Sequence, residues 1–369
     1  MAGDTIAKNK AYQRTRNWLT LWSLVLSLGI FAAAIFFRWT FLFYDWAVAL
    51  TGSAYGSAFF YYVFFWAYTV VVSFPLSFYS GFVLEHRYDL SNQNFPAWIL
   101  EWAKKQILSF VFSAALVLLL YALIWNFESS WWLWAWAGYA VFSLVLGKLF
   151  PVLIVPLFYK YSPITDEVLR KRIEALANRF DLQIKNVYSL NLSKTTKKAN
   201  AAFTGMGKTK RVILGDTLLN AFSHDEIESV LAHELGHYKH RDIWMQFCFG
   251  VALSFVGFWI TFHILGDFSH RLGYGGAGDI RSFPLLCLLS FLFSLVIGPA
   301  ANALSRWAER RADLFALEAT ASRTPFISAM RKLSETNLAD PNPHPLIEFL
   351  LYDHPAIGKR IQMAERFAR

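Results

Sequence analysis

Six stretches of this 369-residue chain are long and apolar enough to cross a lipid bilayer, which takes about 20 mostly apolar residues. They cover residues 18–37, 56–80, 107–125, 131–155, 243–265 and 283–304. The chain is 56% hydrophobic and 18% aromatic, and its 17% of charged residues is well below the roughly 25% typical of soluble domains. We therefore expect a mainly α, polytopic membrane protein whose first stretch is retained as a span rather than cleaved as a signal peptide.

The basic residues are distributed unevenly among the segments that separate these stretches. The net charge of +9 is also found in nucleic-acid-binding proteins. However, 31 of the 35 Lys and Arg residues lie in segments 1–17, 81–105, 156–242 and 305–369, which alternate with segments that carry few basic residues. Cytoplasmic loops of membrane proteins show this excess. We expect both termini and the 156–242 segment in the cytoplasm, the lipid bilayer as a partner, no nucleic acid, and no obligate protein partner.

The 156–242 segment is long enough to fold as a small α+β unit. Apolar spacing predicts a helix over 166–180 and strands at 187–190, 199–204 and 211–214, the last two joined by a turn at 205–210. After the last apolar stretch, helices are predicted over 305–320, 324–337 and 356–367. The chain thus divides into a membrane domain, 1–160, with about four spans, and a second domain, 161–369, that includes the spans at 243–265 and 283–304.

An HExxH motif, His233-Glu234-Leu235-Gly236-His237, lies in a predicted helix whose start is marked by the capping pair Ser223 and Glu226. On a helix the two histidines lie one turn apart on the same face and can bind one Zn²⁺, with Glu234 beside them as a general base. Alternatively, the histidines cap or pair at the membrane boundary without a metal. A cysteine site is not expected, because Cys248 and Cys287 both lie inside apolar stretches.

A catalytic zinc usually has three protein ligands, and Glu309 is the best candidate for the third. Asp313 follows one helical turn later and can hold a zinc-bound histidine in one tautomer. Glu309 could instead pair with Arg306, Arg310 or Arg311 on a solvated face. Asp242, five residues after His237, either orients that histidine or ends the helix at the lipid boundary. The HExxH helix precedes the fifth stretch and Glu309 follows the sixth, so both open on the same side of the membrane.

Further motifs occur in an order that resembles the integral-membrane zinc metalloproteases of the CAAX prenyl endopeptidase type 1 family. The matching segments span most of the chain: Glu85-His86-Arg87-Tyr88, Lys104-Lys105, residues 156–163, Asn200-Ala201-Ala202-Phe203, residues 214–219, residues 305–313, and His354-Pro355 with Arg360.

This resemblance implies about six or seven transmembrane helices enclosing a water-filled chamber, with a zincin-like α+β metalloprotease domain on the cytoplasmic side. It also implies that Asn200 and Ala201 lie on an edge strand that binds an extended substrate. His354 would stabilise the oxyanion of the reaction, and Arg360 would help to position substrate and the His354 segment.

The resulting prediction is a zinc endopeptidase, with one Zn²⁺ per chain, that cleaves peptides or lipidated peptides near the C terminus of prenylated CAAX-type or other membrane-associated substrates. The chain has six spans where eukaryotic members have seven, and no large acidic insertion precedes HExxH, so we expect a compact bacterial member in a bacterial inner membrane or an ER-type membrane. One alternative is a quality-control protease without lipid recognition. Another is a transporter or lipid-binding protein, which the scarcity of ionisable residues inside the spans disfavours.

Overall fold

The computed structural model describes residues 2–180, 182, 184, 186–204 and 211–367. Its α-helices are α1 (Ala2–Phe36), α2 (Trp39–Leu50), α3 (Ala54–Phe78), α4 (Leu84–Arg87), α5 (Phe95–Asn126), α6 (Trp131–Leu149), α7 (Glu167–Asn178), α8 (Asp216–Ala221), α9 (His224–Lys239), α10 (Asp242–Arg271), α11 (Phe283–Thr320), α12 (Arg323–Thr336), α13 (Pro345–Leu351) and α14 (Ile357–Arg366). Its strands are β1 (Tyr161–Pro163), β2 (Asn186–Leu190), β3 (Ala201–Thr204) and β4 (Arg211–Gly215). The turn predicted at 205–210 lies outside the described residues.

Six helical segments in the described part of the chain are long and apolar enough to span a membrane. They are Asp4–Phe36, Ala54–Arg87, Phe95–Asn126, Trp131–Leu157, Asp242–Arg271 and Ile280–Thr320, which confirms the six predicted spans. Large apolar side chains on their outer faces, including Trp18, Trp22, Val71, Val141 and Val296, are more than half exposed. This outward apolar surface is what a lipid environment requires.

A short helix that the sequence did not predict follows the first span. The backbone of Arg38 is left-handed, with φ 57°, and separates α1 from α2. The 12 residues of α2 rise about 18 Å at 1.5 Å per residue, which is too short to cross the bilayer alone. Its Phe43 and Trp46 pack on Tyr61 and Phe64 of α3, with ring centroids 6.4 and 5.5 Å apart.

The four strands form one sheet in the order β1-β2-β4-β3. β1 and β3 pair antiparallel with β2 and β4, whereas β2 and β4 are parallel. The predicted strand at 199–204 begins two residues late, at Ala201, so Asn200 precedes the strand instead of lying within it. Since β3 is at the end of the strand order, its outer edge is open to an additional strand.

Helix α9 lies between the sheet and α11, within an aliphatic core that includes Leu214, Leu231, Leu235 and Leu317. Gly236 permits its close approach to α11, because a Cβ at this position would lie 2.9 Å from the Cα of Ala312. The fully buried Ala308, Ala312 and Ala316 make the facing surface of α11 equally small. The close contact sets the distance between the HExxH motif and Glu309.

The sixth membrane helix continues directly into the sheet-bearing domain. α11 has 38 residues and is uninterrupted, so the helix predicted over 305–320 is present as the continuation of the sixth span. Pro299 lies inside this helix. No Gly, the residue that commonly ends a helix, occurs between Pro299 and Thr320. One rigid element therefore carries Glu309 and Asp313 from the membrane bundle to α9.

Candidate metal centre and active site

The HExxH helix begins at a capping box. The Ser223 side chain accepts a hydrogen bond from the Glu226 amide, and the Glu226 carboxylate accepts one from the Ser223 amide at 2.7 Å. Burial opposes the charged form of Glu226, but hydrogen bonds from Lys332 and Ser328 outweigh it and lower the pKa of this carboxyl. The helix start is thus tied to α12, and the two histidines follow on its buried face.

Three ligand-type side chains converge at one point. The Nε2 atoms of His233 and His237 are 3.1 Å apart. Glu309 Oε2 lies 3.3 Å from His233 Nε2, and Glu309 Oε1 lies 3.1 Å from His237 Nε2. The ligand atoms of all three residues lie within 4.8 Å of one another. α9 and α11 therefore bring together the metal-ligand set predicted from the sequence.

Each histidine has a carboxylate behind it. His233 Nδ1 is 2.8 Å from Asp313 Oδ1, and His237 Nδ1 is 2.9 Å from Asp242 Oδ2. Because an ionised carboxylate only accepts hydrogen bonds, each Nδ1 donates, and in the neutral ring each Nε2 keeps its lone pair for a metal. Of the two alternatives for Asp242, the structure places it against His237, at the first residue of α10.

This donor set fits a divalent cation. Two imidazole lone pairs and a carboxylate face the same point, and Glu309 Oε2 is buried without a hydrogen-bond partner in the described part of the chain. Two imidazole nitrogens and one carboxylate are ligands of catalytic zinc sites. Burial opposes a charge on His233, but the neighbouring carboxylates of Asp313 and Glu309 raise its pKa to about 9. Positive charge is therefore favoured at this point of the structure.

Arginines hold both of the backing carboxylates. Arg360 Nε lies 2.8 Å from Asp313 Oδ2 and its Nη2 lies 2.5 Å from Asp313 Oδ1, a bidentate pair of buried groups. Arg311 donates to Asp242. Arg306 instead binds the carbonyls of Glu348 and Tyr352. Among the described residues, the arginine near Glu309 is Arg360, at 3.7 Å, rather than Arg306, Arg310 or Arg311. The contact between Arg311 and Asp242 has no signal in the sequence.

The opposite side of the cluster faces a cavity of about 440 Å³. Its lining includes His233 and Glu234 of α9, Asn200 and Ala201 at the start of β3, and His354 from the loop before α14. His354 Nε2 lies 3.2 Å from Glu309 Oε1, and its Nδ1 lies 2.8 Å from Asp353 Oδ1. The Asp353 hydrogen bond raises the pKa of His354 against the opposing effect of burial.

A side chain that sequence reasoning missed holds the start of β3. Asn337 Oδ1 accepts a hydrogen bond from the Ala199 amide at 3.0 Å, and its Nδ2 donates to the Ala199 carbonyl at 3.2 Å. The Asn200 carbonyl in turn accepts from the Gly215 amide at 2.9 Å. The backbone on both sides of Asn200 is fixed, which leaves its side chain at the cavity wall.

A second, larger cavity adjoins the first. It has a volume of about 1040 Å³ and shares Ala199, Asn200 and Asn337 with the smaller one. Its walls are mostly apolar and come from α5, α6 and the segment after α6, including Phe112, Phe142, Leu146, Phe150 and Phe158. An apolar space between membrane helices thus opens beside the candidate active site.

Known proteins share this architecture. Residues 163–368 match the family model of peptidase family M48, and residues 1–160 match one described as the CAAX prenyl protease N-terminal, five membrane helices. The chain is 33% identical over 309 residues to an uncharacterized metalloprotease of Bacillus subtilis, covering 81% of this chain and 71% of that protein. It is 28% identical over 320 residues to CAAX prenyl protease 1 of Saccharomyces cerevisiae, covering 79% and 68%.

The crystal structure of S. mikatae Ste24p is similar over 99% of this chain and 89% of that one, with a TM-score of 0.88 and 25% identity. This likeness confirms the predicted fold class, a mainly α polytopic protein with a membrane chamber and a small sheet in its second domain. The resemblance noted from the sequence motifs is also confirmed. The chain belongs to peptidase family M48 and is an integral-membrane zinc metalloprotease.

Proposed function

We propose that this protein is an endopeptidase that cleaves membrane-associated substrates close to their C terminus, prenylated CAAX-type proteins among them. The observation that carries the proposal is the convergence of His233, His237 and Glu309 beside a cavity that also contains Glu234 and an open strand edge. The apolar cavity next to Asn200 offers space for a lipid attached to the substrate. Relatives named as CAAX prenyl proteases support the same substrate class.

His233, His237 and Glu309 would hold one Zn²⁺, and Asp313 and Asp242 would keep the two imidazoles in the tautomer that exposes Nε2. When bound, zinc acts as a Lewis acid that polarises the scissile carbonyl and makes water acidic near neutral pH. Arg360 lines the cavity, but its donors are directed at Asp313. We assign it the role of positioning Asp313 and the His354 segment, with its substrate contact secondary.

Glu234 would act as the general base. It would accept a proton from the attacking water and return it to the nitrogen of the leaving amine. His354, whose raised pKa favours the protonated ring, would donate a hydrogen bond to the negative charge that develops on the carbonyl oxygen of the substrate. Both side chains line the cavity in which the scissile bond would lie.

An extended substrate would bind at the open edge of β3. Ala201 supplies backbone groups at the first position of the strand, and the side chain of Asn200 offers an amide at the cavity wall. A peptide that pairs with a strand edge is bound through its backbone rather than its side chains. This mode of binding suits a protease that accepts several sequences. We propose that these two residues align the substrate with Glu234.

We also propose that residues 1–160 form the membrane domain and 161–369 the protease domain, with both termini and the active site in the cytoplasm. The two family-model matches meet at the same boundary, at residues 160 and 163. The concentration of basic residues in segments that alternate along the spans supports this orientation. The host membrane would be a bacterial inner membrane or one of the ER type.

The mechanism is tested by Glu234→Gln. Because the three ligands remain, we expect the purified variant to retain zinc and to lose peptide cleavage. Glu228→Gln is the matched control, since Glu228 lies on the same helix but is bound to Arg172 on the outer face. It should retain both zinc and activity. Full activity of Glu234→Gln would exclude Glu234 as the base.

The substrate class is tested with two peptides of the same sequence, one farnesylated near its C terminus and one not. Cleavage that strongly prefers the farnesylated peptide supports a prenyl-protein substrate. Equal cleavage of both peptides would favour a quality-control protease without lipid recognition.

A further inference from the structure

One face of the first membrane helix is polar and turned toward the candidate active site. Gln13, Arg16, Asn17 and Thr20 follow the spacing i, i+3, i+4, i+7, which places them on one face of α1. All four line the 440 Å³ cavity that contains His233 and Glu234. None of the roles assigned above uses this face.

Two of these side chains bind the loops around the active site. Gln13 Nε2 donates to the Leu338 carbonyl at 3.0 Å, next to the Asn337 that holds the start of β3. Asn17 Nδ2 donates to the Tyr352 hydroxyl at 3.4 Å, two residues before His354. Arg16 lies between them on the same face. The helix is therefore fixed against both sides of the cavity, with the guanidinium of Arg16 in between.

Arg16 forms no ion pair with a carboxylate among the described residues. Its guanidinium lies over the Tyr12 ring, 5.7 Å from the centroid, and no ion pair within 4.0 Å joins it to an acidic group among the described residues. Glu85, on the neighbouring α4, is already bound to Tyr12 and Lys198. Arg360, the other arginine in the cavity wall, is paired with Asp313. Arg16 contacts Tyr12, but among the described residues no carboxylate pairs with its guanidinium, which lies in the cavity wall.

The position of Arg16 indicates which part of a substrate it would contact. β3 already has an antiparallel neighbour in β4, and a peptide added antiparallel at its open edge would continue that pattern. The chain of such a peptide would run past Ala201 and Asn200 toward Ala199 and Asn337, in the N-to-C direction. Beyond Asn337 it would meet the loop that Gln13 binds, and then Arg16. The residues that follow the cleaved bond therefore approach the guanidinium.

We propose that Arg16 is a specificity-determining residue that binds a carboxylate on the part of the substrate C-terminal to the cleaved bond. The carboxylate is either the chain terminus or an Asp or Glu side chain. A planar guanidinium binds a carboxylate through two parallel hydrogen bonds and retains its charge at every relevant pH. This inference rests on the proposed peptidase function and adds to it a charge requirement on the leaving peptide.

The test uses three quenched-fluorescence peptides of identical length. One ends in a free carboxylate, one in a C-terminal amide, and one in an amide with a Glu placed after the cleaved bond. Each is assayed with the full-length protein in detergent or vesicles, as wild type, Arg16→Gln, Arg16→Lys and Arg14→Gln. Arg14 is the matched control, because it lies on α1 but lines a groove outside the catalytic cavity.

We expect wild type to cleave the free-acid peptide with a kcat/KM about 10- to 100-fold above the amide, as the loss of one charge-assisted hydrogen-bonded pair predicts. Arg16→Gln should abolish this preference by raising KM for the free-acid peptide to the value for the amide peptide. Arg16→Lys should retain part of the preference for the free-acid peptide, and Arg14→Gln should retain all of it. If wild type cleaves the amide peptide with the added Glu as well as the free-acid peptide, a side-chain carboxylate can also bind Arg16. If the added Glu has no effect, the preference belongs to the carboxylate of the chain terminus.

Equal cleavage of all three peptides by wild type, or a preference that survives in Arg16→Gln, would overturn the inference. Either result leaves the peptidase function standing, because cleavage itself is observed. Failure of the proposed function is a different result, namely that wild type with bound zinc cleaves none of the three peptides.

Discussion

The two sides of the candidate metal centre are built differently. On the buried side, His233 and His237 are backed by Asp313 and Asp242, and each carboxylate is itself held by an arginine. On the open side, the side chain of His354 is 55% exposed and is paired with Asp353, whose side chain is 69% exposed. The buried side suits metal binding, which requires fixed ligands. The open side suits substrate binding, which requires groups that remain free to bind. Changes on the buried side should alter zinc affinity, and those on the open side should alter KM.

The largest effect is expected from Asp313→Asn. The amide removes the negative charge that orients His233 and pairs with Arg360, so we expect zinc affinity to fall about 10- to 100-fold. Competition with a chelator of known affinity measures this change. Asp353→Asn is the comparison on the open side, since Asp353 touches only His354 among the side chains of the centre. It should leave zinc affinity as in wild type, and an equal loss in both variants would remove the distinction between the sides.

A smaller effect on the buried side is expected from Gly236→Ala. The added methyl group would lie 2.9 Å from the Cα of Ala312 and would push α9 away from α11. Overpacking of this kind reduces the free energy of unfolding by about 1–3 kcal/mol. Thermal unfolding in detergent should therefore show a lower Tm. Gly250→Ala on α10 is the control, because nothing lies within 4 Å of its added Cβ, and its Tm should not fall.

The smallest effect is expected on the open side, from Asn337→Ala. The Ala199 amide and carbonyl lose their side-chain partner, which weakens the hold on the start of β3 by about 1 kcal/mol. We expect KM to rise about 3- to 10-fold while zinc affinity stays constant. Thr336→Ala is the neighbouring control, since its hydroxyl only bonds back to the Lys332 carbonyl of the same helix. A loss of zinc in Asn337→Ala would show that the two sides are coupled.

Much of the candidate site was predictable because its parts are local. HExxH and the pair Glu309 and Asp313 each lie one helical turn apart, so a helix alone decides that they share a face. Asn337 was missed because its contact with Ala199 joins positions 138 residues apart and involves the backbone of one partner. Arg311 was missed for the same reason, since nothing near it in sequence indicates Asp242.

The fold was also predictable only where its features are local in sequence. Long apolar stretches identify the spans, but α13 and β1 are too short for a periodic pattern to develop, and α2 is apolar on almost every side, so it shows no period. The start of β3 was predicted two residues early because Ala199 and Asn200 are followed directly by the apolar residues of the strand. In the structure, hydrogen bonds of Ala199 with Asn337 and of Asn200 with Gly215 place Asn200 before the strand. Such boundaries depend on tertiary partners rather than on local preference.

The sequence by itself determined the number of spans, since bilayer thickness sets a minimum apolar length, and it predicted the candidate metal-ligand set, since helix geometry fixes the spacing within each helix. Only the tertiary structure decided how the ligands meet, because the approach of α9 to α11 depends on Gly236 facing Ala312. It also decided that the polar face of α1 lines the catalytic cavity instead of facing another helix. A helix pattern shows that a polar face exists, but the packing of the whole chain determines what that face contacts.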